Sequence, residues 1–286
     1  MRAFYINLDP ERARRRFIEA QLSEAGIPGE RIQAVDGSKP LPTDLVSYFS
    51  PKHLMDAGAL GCYASHIKAW RQLLLHGLPY ALVLEDDAII DLSLADILHE
   101  VLEALPKGWD MVHLGTRPDR AVCPIAELTG RKLVVYSRVP PGAVGYLLSC
   151  AGAQKMLLAE PRVWPIDTDT RRPWAFGLDV YGVDRPPIKH NWVMPSTIRA
   201  RGRKRWTPRR GLNAALGNPI RNTKGFLFNC RRLGPLRWCR CLIANATLKA
   251  RAALRQKRYG CAPQNRRLQV EKSVIDLEQS IDRIHG

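Results

Sequence analysis

Tyr80-Ala81-Leu82-Val83-Leu84-Glu85-Asp86-Asp87 is an unbroken apolar run that stops at three adjacent carboxylates. A stretch that is apolar at every position, rather than at every second one, suits a strand buried on both faces at the centre of a helix-covered sheet. Three neighbouring carboxylates at the end of such a strand repel one another and resist desolvation, so a positive partner is expected beside them. Carboxylate oxygens are hard ligands suited to Mg²⁺ or Mn²⁺, and open α/β sheets bind ligands beyond the carboxyl ends of their strands. A solvated acidic loop is the plain alternative.

Working outward, the first two thirds of the chain alternate between strand-like and helix-like segments, the signature of an α/β sheet. Ala3 to Leu8 reads as a first strand, and Glu11 to Ala25 as an amphipathic helix stopped by Gly26. Apolar spacing predicts a helix over 59–76 and another over 94–105, the latter capped by Asp91 or Ser93. Strands are expected near 111–114, 132–139 and 145–148, with a helix over 151–159. Pro161, Pro165, Pro173, Pro186 and Pro187 then mark a loop-rich region suited to forming a site.

The formal charge of +17 is unevenly distributed: Arg199 to Arg267 holds 20 Lys and Arg with no Asp or Glu. The remaining 24 basic residues stand against 27 acidic ones, so the rest of the chain is slightly negative. A boundary is therefore expected near Arg199, with a catalytic domain over 1–198 and an Arg-rich extension over 199–286. Within the extension, Leu236, Cys239, Ile243, Ala246, Ala250 and Leu254 share one face of a helix whose other face is basic. Seven scattered cysteines do not pair as a disulfide framework, which fits a reducing compartment. The absence of a leader or a long apolar span is consistent with a cytoplasmic location, peripheral at the inner face of the membrane.

Four ordered blocks resemble glycosyltransferase family 25. They are Tyr5-Ile6-Asn7-Leu8-Asp9 with Glu11-Arg12-Arg14-Arg15, then Ala34-Val35-Asp36-Gly37, then Gly58-Ala59-Leu60-Gly61-Cys62-Tyr63-Ala64-Ser65-His66-Ile67-Lys68-Ala69-Trp70, then Leu82 to Asp87. That family includes lipooligosaccharide galactosyltransferases of Gram-negative bacteria and collagen galactosyltransferases. The resemblance covers roughly residues 1 to 190 and implies a GT-A-like nucleotide-binding fold, inverting chemistry and a divalent cofactor, Mn²⁺ or Mg²⁺. It also implies site roles. Asp87 would ligate the metal, Glu85 and Asp86 would contact ribose or metal-bound water, and Asn7, Leu8 and Asp36 would hold the uridine of a UDP-sugar. His66 would lie near the donor, and His190 would supply a further metal ligand. Trp164-Pro165-Ile166-Asp167 resembles the block that follows the family's glycine-tyrosine strand, which makes Asp167 the candidate general base and Asp169 its alternate. Asp179 and Asp184 stay open as acceptor contacts.

Plainer readings exist for several of these residues. Asn7 can be a turn residue, Asp36 an Asp-Gly turn, and His66 a hydrogen-bonded core histidine. No nucleophile-elbow serine appears, and Cys239-Arg240-Cys241 lacks the spacing of a zinc site. A metal-dependent nucleotidyltransferase would need a glycine-rich triphosphate loop after the first strand, which is absent. A nucleic-acid-binding protein would not explain why the basic charge is segregated from the triplet, so no nucleic-acid partner is expected. The basic extension instead suits an anionic membrane surface and a phosphate-bearing, lipid-linked oligosaccharide acceptor.

Overall fold

The computed structural model describes residues 1–158, 160–191 and 219–259. Eight strands form one mixed sheet: β1 (Ala3–Asn7), β2 (Gly29–Gln33), β3 (Tyr80–Glu85), β5 (Met111–His113), β6 (Val122–Leu128), β7 (Arg131–Tyr136), β8 (Gly145–Ser149) and β9 (Val180–Val183). Their spatial order is β2-β1-β3-β8-β5-β9-β7-β6, and the short strands β4 (Ala88–Ile90) and β10 (Ile188–His190) pair separately. The α/β class read from the sequence is the one observed.

β1 runs parallel to β2 and β3, with Ile6 opposite Glu85, so the end of β1 and the acidic triplet share one edge. The sheet is covered on both faces. Phe4, Ile6, Ala81 and Val83 pack into a core with Tyr63, Ile67 and Trp70 of α3 (Ala57–Leu75) and Ala153 and Met156 of α5 (Cys150–Leu158). The alternate residues Ala3, Tyr5, Leu82 and Leu84 pack with Ile18 and Leu22 of α1 (Arg12–Glu24) and Leu98 and Val101 of α4 (Leu94–Ala104). Every second strand residue thus serves the opposite face, as the pleat dictates, and the continuous apolar run of β3 is filled on both sides. The short helices α2 (Thr43–Val46) and α6 (Ile166–Asp169) border this layer.

The chain divides into two compact units, Met1–Cys241 and Leu242–Gly286. Arg199, where the composition changes, lies outside the described residues. The extension does not begin as a detached tail. Helix α7 (Pro219–Leu233) and the start of α8 (Pro235–Tyr259), up to Cys241, belong to the first unit, within which Leu233, Trp238 and Cys241 bury against Val135. Asn229 Nδ2 donates to the Ser137 carbonyl at 3.0 Å, and the Arg232 guanidinium lies over the Tyr181 ring at 4.7 Å. Of the apolar face expected for the α8 segment, Leu236, Cys239 and Ile243 are exposed, while the residues that point inward are Trp238 and Cys241. The inward face is fixed by an aromatic and a thiol fitting the outer strands, which helical periodicity alone does not register.

Candidate active site

A cleft open to solvent lies at the carboxyl edge of β1 and β3. Its walls include Leu8, Arg14, Asp36, Cys62, His66, Glu85, Asp86, Asp87 and His190. The triplet is held there by α1 and by β10. α1 supplies Gln21, whose side chain bonds both the Ala88 carbonyl (2.9 Å) and the Ile90 amide (2.8 Å), clamping the strand that follows the triplet. β10 pairs antiparallel with β4, so His190 faces Ala88, and the Asn191 amide donates to the Asp87 carbonyl at 2.9 Å. That pairing brings His190 Nε2 within 3.3 Å of Asp87 Oδ2.

The opposite wall depends on close backbone approach. A Cβ on Gly61 would stand 2.5 Å from the Val35 carbonyl, and one on Gly37 would overlap the Ala57 carbonyl, so the 34–37 loop lies directly on the start of α3. Ser65 locks this contact: its Oγ accepts from the Val35 amide at 2.8 Å and donates to the Gly61 carbonyl at 2.6 Å. Asp56 caps α3 by accepting from the Ala59 amide at 2.8 Å. The second and third blocks of the sequence therefore meet as one wall.

The positive partner expected beside the triplet is present in the chain itself. Arg14 Nη2 lies 2.5 Å from Asp86 Oδ1 and 2.7 Å from Asp87 Oδ2, with all three side chains about nine-tenths buried. This modifies the expectation that the carboxylates depend on a divalent ion alone. One guanidinium offsets one of the three negative charges, so Arg14 alone leaves the edge short of neutrality. Desolvation pushes Asp86 up to about 6, and desolvation and the neighbouring Glu85 raise Asp87. Glu85 is desolvated as well, yet His66, His190 and Arg14 hold its carboxyl below the usual range.

The donor set fits a hard divalent cation. Asp87 Oδ1 is buried without a hydrogen-bond partner among the described residues, while its other oxygen is engaged by Arg14 and His190. An unsatisfied anionic oxygen beside an imidazole, on an edge with net negative charge, is what such an ion would complement.

The remaining residues separate into cleft walls and supports. Leu8 and Asp36 line the cleft, and Asp36 Oδ1 also accepts from the Ser38 amide and hydroxyl at 3.1 and 2.7 Å, a local turn. Asn7 does not face the cleft. It is 1% exposed, its Nδ2 donates to Asp86 Oδ2 at 2.7 Å, and its Oδ1 accepts from Arg31 Nε at 3.2 Å. Its Nδ2 also donates to the Glu11 carbonyl at 3.1 Å, so both amide hydrogens are engaged inside the protein and the side chain holds Asp86. His66 is fully buried, with Nδ1 2.8 Å from the Tyr146 hydroxyl, which also accepts from Trp70 Nε1 at 2.8 Å.

The two candidate bases occupy different environments. Asp167 is exposed on α6 and near enough to Cys62 to contribute, after burial and Glu85, to the rise of that thiol well above its ordinary range. Asp169 is 3% exposed, accepts from the Tyr63 hydroxyl at 3.0 Å and pairs with Arg172 at 3.2 Å. Its carboxylate is turned into the protein and ties α6 to α3. Asp179 pairs with Arg232 at 3.5 Å, and Asp184 Oδ1 accepts from the Lys132 and Arg185 amides.

Arg14 and Gln21 had no assigned role in the sequence reading. A signal for Arg14 exists: it stands at helical spacing with Ile18 and Leu22, the buried stripe of α1. An arginine on an apolar stripe needs a buried anion, and the triplet is the obvious supply.

The sheet, the acidic edge and the two glycine-packed blocks define a family. The model described as Glycosyltransferase family 25 (LPS biosynthesis protein) matches residues 1–170, and the chain belongs to that family. Among curated relatives, procollagen galactosyltransferase 1-A of Xenopus laevis is 31% identical over 185 residues, covering 59% of this chain and 30% of the relative. The human protein named inactive glycosyltransferase 25 family member 3 is 30% identical over 182 residues, covering 57% of this chain and 30% of that one. The chain thus matches under a third of the length of these relatives, and they include a protein named inactive. Among solved structures, a Drosophila β-1,4-galactosyltransferase 7 mutant in complex with manganese, UDP-Gal and xylobiose is 11% identical with a TM-score of 0.33, over 72% of this chain and 76% of that one. That score is below the level at which a shared fold follows.

Proposed function

We propose that this chain is an active inverting glycosyltransferase that moves a hexose, galactose in preference to glucose, from a UDP-sugar to a lipopolysaccharide- or lipooligosaccharide-type acceptor. The observation that carries the reading is the unsatisfied Asp87 Oδ1 in a cleft whose acidic edge retains net negative charge after Arg14 is counted. The galactose preference draws on the galactosyltransferase relatives, and the acceptor class on the family's description.

In this reading Asp87 and His190 hold Mn²⁺ or Mg²⁺, which when bound neutralises charge on the departing diphosphate. Arg14 keeps Asp87 oriented, and Asn7 does the same for Asp86. Leu8, Asp36 and the loop pinned by Ser65 form the nucleoside side of the cleft. Asp167, exposed at α6, takes the proton from the attacking acceptor hydroxyl, and a single displacement inverts the anomeric carbon. Asp169 supports the helix on which Asp167 stands.

The extension supports docking of the enzyme at an anionic membrane surface where a lipid-linked acceptor is presented. Leu227 and Leu236 are exposed, as are Arg231, Arg237 and Arg240, and each basic residue near an anionic leaflet contributes about 1 kcal/mol. No described helix is long and apolar enough to cross a membrane. Replacing these three arginines with glutamine and measuring co-sedimentation with anionic vesicles tests the docking, and undiminished recovery counts against it.

Hydrolysis of UDP-galactose and UDP-glucose with and without Mn²⁺, followed by transfer to truncated surface glycans, tests the reaction. Manganese-dependent release of UDP with galactose transfer is expected. Release of pyrophosphate from a nucleoside triphosphate instead would point to a nucleotidyltransferase.

A further inference from the structure

A second group of donors lies in the same cleft, formed by Cys62 together with His66 and Glu85, two residues that the family resemblance places near the nucleotide-sugar. Cys62 and His66 are four residues apart on α3 and project from one side of the helix. Glu85, at the end of β3, faces them both. Its Oε1 lies 3.9 Å from Cys62 Sγ and 3.5 Å from His66 Nε2, and the three ligand atoms fall within 4.8 Å of one another.

Tetrahedral zinc binds sulfur at about 2.3 Å and nitrogen or carboxylate oxygen at about 2.0 Å, which sets its ligand atoms roughly 3.3 to 3.6 Å apart. Two of the separations here are within a few tenths of an ångström of that spacing. The burial of the histidine points the same way. His66 is fully buried, and its Nε2 makes no hydrogen bond among the described residues beyond the 3.5 Å approach to Glu85 Oε1. The other ring nitrogen is held by the Tyr146 hydroxyl at 2.8 Å, the kind of partner that orients metal-binding histidines. Cys62 is half-buried and lines the cleft, so an ion has a path in and a fourth position open to solvent.

We propose that Cys62, His66 and Glu85 form a binding site for a thiophilic divalent cation, with Zn²⁺ the best match, separate from the hard oxygen-nitrogen donor set at Asp87. On binding, the Cys62 thiol loses its proton to solvent and a sulfur–metal bond forms. The thiolate and the Glu85 carboxylate then balance the ion's two charges, so the loaded site is neutral. The softer donor set selects zinc or cobalt where Asp87 selects manganese or magnesium.

The test uses the full chain, reduced, stripped by chelator and titrated with Co²⁺ alone. A thiolate-to-cobalt charge-transfer band with intense visible bands of tetrahedral cobalt is expected, displaced by Zn²⁺. Both features are lost in Cys62→Ser and retained in Asp87→Asn, which separates this site from the one at Asp87. In the wild-type chain, zinc is also expected to protect Cys62 from alkylation, read peptide by peptide in a mass spectrometer. Cobalt bands shared equally by Cys62→Ser, or Cys62 alkylation indifferent to zinc, would overturn the proposal.

Discussion

Arg14 Nη2 lies 2.7 Å from Asp87 Oδ2, so the carboxylate best placed to hold a metal is already paired with a buried cation. The first prediction follows from that pair. Removing one partner of a buried ion pair costs about 3 kcal/mol or more, because the other is left uncompensated. Arg14→Met is therefore expected to lower stability by about that amount in urea denaturation. It also raises the residual negative charge of the edge, so Mn²⁺ should recover more of the melting temperature in the variant than in the wild type. An unchanged response to Mn²⁺ would show that Arg14 and the ion do not share the edge.

Gly61 tests the cleft wall. With the Val35 carbonyl 2.5 Å from a Cβ at this position, Gly61→Ala forces the 34–37 loop away from α3. A loss of about 1–3 kcal/mol is expected from overpacking. UDP binding, measured by isothermal titration, should weaken by roughly tenfold, since 1.4 kcal/mol of loop displacement suffices for that factor. Ser65→Ala removes the same lock without a clash and should reproduce the effect in milder form.

His113 predicts a pH dependence of stability. It is 2% exposed, sits 2.9 Å from the Gly142 carbonyl, and burial pushes it down from 6.5 to about 4. The folded protein therefore resists protonating this ring. The contribution is fully present above pH 6.5 and is lost as the pH falls from there through about 4. The loss amounts to roughly 3 kcal/mol, from about 1.4 kcal/mol per unit. Asp86, raised to about 6, acts with opposite sign: its stability contribution is greatest at low pH and is lost as the pH rises through that value. The informative readout is thus the stability difference between wild type and His113→Gln, which should move by roughly 3 kcal/mol in the variant's favour as the pH falls from 6.5 through about 4.

The two aspartates of α6 should separate activity from stability. Asp167→Asn is expected to reduce kcat by about 10²–10⁴ with little change in melting, as loss of a general base does. Asp169→Asn loses its ion pair with Arg172 and weakens the Tyr63 contact, so it should cost about 1–3 kcal/mol of stability. A kcat collapse confined to Asp169→Asn would reassign the base.

Much of this fold can be read from the chain because its central elements carry strong local patterns. The uninterrupted run of β3 and the 3.6-residue spacing of α1 and α3 each point to one structure. β4 and β10 have no such pattern: each is three residues long and exists through pairing with a strand about a hundred positions away. That pairing delivers His190 to Asp87, and a motif likeness named the histidine without supplying the geometry. β6 and β9 are short or half-polar, so neither periodicity nor composition marks them. The charge and helical character of the Arg-rich extension are legible, but not that Leu233, Trp238 and Cys241 bury a narrow face or that Arg232 spreads over Tyr181, since those contacts depend on the outer strands. Asn7 shows the limit of motif transfer, because position at the strand end is legible while the direction of its amide, toward Asp86, depends on tertiary packing.

In the proposed reaction Asp87 presents a divalent-cation ligand to a nucleotide in this cleft. Its most direct test is calorimetric titration of UDP into the purified full chain with and without Mn²⁺, in wild type and Asp87→Asn. Manganese-dependent UDP binding is expected in the wild type and should fall at least about tenfold in the variant, with the fold retained. Equal UDP affinity in both proteins, or binding indifferent to Mn²⁺, would contradict it.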